Sequence, residues 1–244
     1  METIKKLELD GYTLFNNSCE AILPTIPDES VDMILTDPPY NIGYAEWDEF
    51  NNIEEISNQF LRILKPEGSI FIFAGWSYVN QVISKFNKNF KLNDWIIYDR
   101  IKGRGGTKRL VSTREDILWY VKGEKWTFNK DKAYSTIVKK TGGLGKKNGR
   151  ETRALSNVWT DISPIVPWSK ERTGHPTQKP LALSDRIINV FCQEQSVILD
   201  CYMGSGTFGV SSVSAGHQFI GIEKDENYFN MVVERFEKLK TNQL

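Results

Sequence analysis

Ser196-Val197-Ile198-Leu199-Asp200-Cys201-Tyr202-Met203-Gly204-Ser205-Gly206-Thr207-Phe208-Gly209 is a short apolar strand that runs into a G-x-G-x-x-G turn and then a helix pattern. In that context the glycines carry meaning: they permit a tight turn and let the backbone approach a ligand closely. Seventeen residues after Gly206, the next apolar run, Phe219-Ile220-Gly221-Ile222, ends at Glu223. An acceptor-only carboxylate at the end of that strand is placed to take hydrogen bonds from ribose hydroxyls. The pattern points to a cofactor that contains a nucleoside.

Only 21 residues follow Glu223, enough for one helix. A dinucleotide-dependent dehydrogenase usually opens with this unit and continues through further strands, so that reading is disfavoured. The remaining strands are expected upstream, at Val31 to Thr36, Ser69 to Phe73, Trp95 to Tyr98 and Ile117 to Val121. Between them lie helical spacings: Ile53, Ile56, Phe60, Leu61 and Leu64, then Leu181, Leu183, Ile187, Ile188 and Phe191, and finally Met231, Val232, Phe236 and Leu239. Alternating strands and helices predict an α/β fold with a doubly wound, mostly parallel sheet in permuted order. Residues 102–174 are rich in Gly, Lys, Arg and aromatics without clear period. They read as a loop-rich basic insertion, from which 116–121 returns to the sheet, between parts 1–101 and 175–244 of one domain.

The 244 residues are 40% apolar and 25% charged, ordinary for a globular protein. No apolar run reaches the roughly 18 residues of a membrane span, and Met1 to Lys6 lacks a secretory core, so a cytoplasmic, membrane-free protein is expected. Three scattered cysteines and two histidines, His175 and His217, offer no disulfide framework and no metal cluster; no metal is expected. The net charge is zero, but its distribution is not even. Arg100 to Arg150 holds 15 Lys and Arg against 4 Asp and Glu, leaving 16 against 27 elsewhere. Such asymmetry is the footprint of a nucleic-acid face, or else of a solvated basic loop.

Directly after Val31 to Thr36 stand Asp37, Pro38, Pro39 and Tyr40. Here a buried strand ends in a carboxylate, two residues with no backbone N–H, and an aromatic ring. That set can grip a planar amine. It can equally be a strand terminator followed by a turn, and the tetrapeptide alone leaves both readings open.

Taken in order, Asp37 to Tyr40, Lys65-Pro66-Glu67-Gly68, Ser112 to Trp119, His175-Pro176-Thr177-Gln178-Lys179-Pro180 and Asp200 to Thr207 resemble the amino-methyltransferases of DNA in the permuted arrangement called the beta class. Two stretches depart from the family pattern. Cys201 and Tyr202 replace a Pro and an aromatic residue, and Asn17-Ser18-Cys19 replaces a Gly-Asp near the cofactor adenine.

The resemblance implies S-adenosylmethionine as methyl donor and S-adenosylhomocysteine as product. It implies a catalytic set of Asp37, Pro38, Pro39 and Tyr40: the Asp37 carboxylate and Pro38 carbonyl accept the N–H bonds of a flipped base, and Tyr40 stacks on it. The donor site is expected from Asp37, Thr177, Gln178, Lys179, Asp200, Met203, Gly204, Ser205, Gly206, Thr207 and Glu223. Trp47 and Asp48 stand where a loop can close over the base. Phosphate contacts are assigned to Arg100, Lys102, Arg104, Lys108 and Arg109, and to a looser group of Lys139, Lys140, Lys146, Lys147 and Arg150. D-P-P-Y favours adenine N6; cytosine N4, an RNA adenine, a protein glutamine amide and a silent DNA-binding regulator are the alternatives. The expected partner is DNA, with a cognate restriction endonuclease and a homodimer as further associations.

Overall fold

The computed structural model describes residues 5–40, 52–104, 106–108, 110–136 and 152–241. Its strands are β1 (Lys5–Leu9), β2 (Tyr12–Asn16), β3 (Val31–Thr36), β4 (Leu64–Ala74), β5 (Lys91–Arg104), β6 (Ser112–Val121), β7 (Tyr134–Thr136), β8 (Thr152–Ala154), β9 (Val158–Trp159), β10 (Val197–Asp200) and β11 (Gln218–Glu223). The α-helices are α1 (Cys19–Ile22), α2 (Ile53–Ile63), α3 (Val79–Phe86), α4 (Leu181–Phe191), α5 (Thr207–Ser214) and α6 (Glu226–Lys240). Among the described residues, nine strands form one sheet in the order β1-β2-β11-β10-β3-β4-β6-β5-β9, and β7 pairs with β8 apart from it. The run β2-β11-β10-β3-β4 is parallel throughout. β6 is antiparallel to both β4 and β5.

Side chains alternate across the central strands into two separate cores. Met33 and Leu35 of β3, with Phe71 and Phe73 of β4, face a core shared with α4, α5 and α6. Ile34, Ile70 and Ile72 face the opposite core, which holds α1, α2 and α3. A strand buried on both faces needs apolar residues at both parities, which is why Val31 to Thr36 shows no hydrophilic alternation. Phe71 is fully buried with its ring stacked on Trp119 at 5.7 Å and tilted against Phe191 at 4.7 Å. The sheet is thus covered on both sides, and the doubly wound expectation holds.

The topology fixes where a site can form. β3 continues to β4 on one side, whereas β10 continues to β11 on the other, so the strand order reverses between the adjacent parallel strands β3 and β10. A crevice opens at the carboxyl ends of strands at such a reversal. Asp32 holds the pair together, accepting from Val197 N at 2.8 Å and from Lys65 Nζ at 2.8 Å on each oxygen.

The boundary expected at 102 lies within β5, which continues to Arg104 and returns through β6 as a long hairpin. Ile117 to Val121 belongs to the main sheet, and β9 also joins it through β5. Among the described residues no helix is long and apolar enough to cross a membrane.

Candidate active site

A cavity of about 780 Å³ occupies the crevice. Three carboxylates from neighbouring parallel strands meet there: Asp37 follows β3, Asp200 ends β10 and Glu223 ends β11. The other walls come from 17–20, 74–77, the β5–β6 hairpin, 164–167 and the turn before α4. Of the expected catalytic and donor-site residues, all except Gly206 line this one space. Gly206 stands behind the wall as N-cap of α5 at φ +72°, where a Cβ would sit 2.8 Å from Val232. Only glycine takes that left-handed turn without strain.

Asp37 is held at both oxygens. Tyr40 Oη donates to Oδ1 and Lys179 Nζ donates to Oδ2. The Lys179 ammonium also lies 3.6 Å from Glu115 Oε2 and 5.1 Å from the centre of the Phe73 ring. Burial alone would lower the Lys179 ammonium, but Asp37 and Glu115 more than offset it and hold it above its ordinary value. Burial, and then the Asp37 charge, push the Tyr40 phenol well up. Its ring packs on Gly75, where an added Cβ would meet it at 3.2 Å.

Asp200 is buried, and burial raises its carboxyl to about 7 against the hydrogen bonds that favour the ion. Those come to Oδ1 from Thr36 Oγ1 at 2.7 Å and from Tyr202 N at 3.1 Å. Glu223 is likewise raised by burial. It ties two turns: Oε2 accepts from Gly204 N at 2.7 Å and Oε1 from Asp225 N at 2.8 Å. Its backbone carbonyl receives Asn17 N at 3.1 Å and Asn16 Nδ2 at 2.9 Å, which brings 16–19 beside the glycine loop. Burial depresses His175 to about 4, so its imidazole beside Gly204 is neutral at pH 7.

Not every expected residue has its side chain turned to the cavity for use. The Gln178 amide is engaged by Thr173 N at 2.8 Å and Glu171 O at 2.7 Å, and so braces the turn before α4. Arg100, expected at phosphate, is engaged within the hairpin. Its Nη2 donates to Ser112 O at 3.2 Å and its Nε lies 3.5 Å from Glu115 Oε1, because the partner strand of the hairpin sets a carboxylate beside it. Lys108 is exposed. The side chains of Lys102 and Arg104 lie outside the described residues, as do Trp47, Asp48, Arg109, Lys139, Lys140, Lys146, Lys147 and Arg150.

Other residues of the site had no assigned role. Arg235 of α6, buried in an otherwise apolar stripe, donates through Nη1 to Ser205 O at 2.9 Å and Thr207 Oγ1 at 3.0 Å. A buried arginine among apolar helix positions is the only sequence signal it leaves. The two departures from the family pattern touch one another: the Cys19 thiol donates to Tyr202 Oη at 3.2 Å. They form one wall of the cavity together.

Because Glu223 holds both turns, Glu223→Ala is expected to weaken a nucleoside-containing ligand about tenfold, by freeing Gly204 N and Asp225 N and removing a carboxylate from the cavity wall. Calorimetric titration with S-adenosylhomocysteine checks it, and unchanged affinity would remove Glu223 from the site.

A family model described as a DNA methylase matches residues 31–234. The type II methyltransferase M.HpaI of Haemophilus parainfluenzae is 33% identical over 247 residues, which cover 94% of this chain and 75% of that protein. The DNA adenine methyltransferase YhdJ of Escherichia coli is 33% identical over 249 residues, 93% of this chain and 83% of its own. Among solved structures, the M1.HpyAVI–SAM complex has a TM-score of 0.65 at 26% identity, covering 92% of this chain and 99% of that one.

Proposed function

We propose, because this chain belongs to the DNA methylase family, that it transfers the methyl group of S-adenosylmethionine to N6 of an adenine flipped out of DNA. The observation that carries the reading is the meeting of Asp37 to Tyr40 with the glycine loop in one cavity, across the adjacent strands β3 and β10. S-adenosylmethionine supplies a methyl group on a sulfonium. The donor set fits it: the buried acceptor Asp200 and the half-buried acceptor Glu223 suit a cationic amino-acid part and ribose hydroxyls.

An exocyclic amine is a poor nucleophile because its lone pair is delocalised into the ring. With one N–H given to the Asp37 carboxylate and the other to the Pro38 carbonyl, the nitrogen is drawn toward a pyramidal form and its lone pair is freed. Pro38 suits this place, since its fixed φ aims the carbonyl and its ring removes a competing donor. Tyr40 stacks on the flipped base, which offsets part of the cost of leaving the duplex. Positioning is the main catalytic device, and no residue has to act as a nucleophile.

Adenine is preferred over cytosine on the D-P-P-Y motif and on the named specificity of YhdJ. Exposed Lys108 is proposed as a phosphate contact, and a restriction endonuclease of the same recognition sequence as a companion. Incubation of DNA with methyl-labelled S-adenosylmethionine, followed by nucleoside analysis, is expected to give N6-methyldeoxyadenosine. N4-methyldeoxycytidine as sole product would overturn the base, and label on RNA alone would overturn the substrate.

A further inference from the structure

We infer that Glu115 is a positioning residue, which receives the Lys179 ammonium when a base amine claims Asp37. The inference rests on the function proposed above and concerns how the clamp is opened.

Both Asp37 oxygens already accept a hydrogen bond, one from Tyr40 and one from Lys179. An incoming amine competes with these donors for the lone pairs of the carboxylate. Lys179 has a second carboxylate within reach. Its side chain is 6% exposed and so largely shielded from water, and among the described residues its other hydrogen bond goes to Thr177 O at 3.3 Å. Glu115 Oε2 lies 3.6 Å away, is buried and accepts no hydrogen bond from the described residues. A buried carboxylate oxygen with no donor is unfavourable where it stands. Closing the gap to the roughly 2.8 Å of a charge-assisted bond needs a movement of less than about 1 Å. The ammonium then stays paired while Asp37 Oδ2 is released to the amine.

The support behind Glu115 fits that use. Arg100, on the neighbouring strand, sits 3.5 Å from Oε1 and is itself tied to Ser112 O. Its fixed charge holds the Glu115 side chain in place whether or not Lys179 is bonded to it. Sequence position hides this arrangement: Glu115 and Arg100 come from opposite strands of the hairpin, and Lys179 from the turn before α4.

Glu115→Gln, Lys179→Met and the double variant test the assignment in single-turnover methylation of DNA, with S-adenosylhomocysteine binding and thermal unfolding measured alongside. Glu115→Gln is expected to lower the single-turnover rate on the order of tenfold or more, with donor affinity and the KM for DNA within about twofold. In the Lys179→Met background the same change is expected to cost less than about twofold, because no ammonium remains to be moved. Equal losses in the two backgrounds, or a wild-type rate for Glu115→Gln, overturn the inference and leave the function standing. If Lys179→Met does not fold, Lys179→Gln carries the same comparison. Absence of methyl transfer to DNA by the unaltered protein overturns the function, and the inference with it.

Discussion

Asp37→Asn will reduce methyl transfer about a thousandfold or more while leaving the protein folded and able to bind donor. The amide keeps the shape of the carboxylate but halves its accepting capacity and turns an N–H toward either Lys179 or the base amine. A charged acceptor is lost at the nitrogen whose lone pair must be freed, and a donor is set against a donor. Loss of a charge-assisted bond with such a mismatch is worth about 4 kcal/mol, which is a thousandfold in rate. Stability is spared, because Lys179 keeps Glu115 within 3.6 Å and the site lies at a strand end, outside the two cores. Single-turnover transfer of labelled methyl to DNA reads the effect. A rate within about tenfold of the unaltered protein would remove Asp37 from the clamp.

The parts of this architecture that were legible in the sequence are those that only one environment allows. Val31 to Thr36 and Val197 to Leu199 carry apolar residues at both parities, a pattern suited to a strand covered on both faces. The glycine turn is legible because Gly204 and Gly206 stand at φ +50° and +72°, where other residues are strained. β1 and β2 were missed, since Lys5 to Leu9 alternates charge with apolar residues and is mostly exposed; its strand character comes from pairing with β2, itself held by β11. The far end of β5 was missed for a related reason. Lys102, Gly103 and Arg104 lack strand propensity, and pairing of Arg104 with Ser112 overrides it.

Roles set by contacts remote in sequence were harder to read. Arg100 carries the charge of a phosphate contact, but its neighbour Glu115 is 15 residues away on the facing strand. Gln178 has the chemistry of a ligand contact and is instead consumed by Thr173 and Glu171, which no local rule foretells. Glu115 stood in a stretch that resembles the family and acquired its place only when β6 paired with β4 and β5. Residue type was enough to nominate Asp37, Asp200 and Glu223. Their shared crevice required the strand order.

Donor affinity will rise with pH up to about 8, falling by up to about tenfold for each pH unit below 7, through the carboxyl of Asp200. Burial holds that group at about 7 in the free protein, so at pH 6 it is mostly neutral. The methionine part of the donor carries an ammonium and a sulfonium, and a cation against Asp200 favours the ion. Binding at pH 6 must therefore expel a proton, and the affinity bears that cost until the pH falls to the carboxyl's value in the complex. Stability of the free protein runs on a different sign. Asp200, raised from 3.8 when folded, makes the folded state hold the extra proton and loses stability as pH rises from about 4 to 7. His175, depressed from 6.5 to about 4, makes the unfolded state hold it and loses stability as pH falls through the same window. These two terms oppose one another, so the pH dependence of binding will exceed their combined effect on unfolding. Titration of S-adenosylmethionine between pH 5.5 and 8, in buffers of different ionisation enthalpy, is expected to show close to one proton released near pH 6 and none at pH 8. Asp200→Asn, which cannot ionise, should show no such release. An affinity of the unaltered protein that is flat across this range would mean that no cation of the donor meets Asp200.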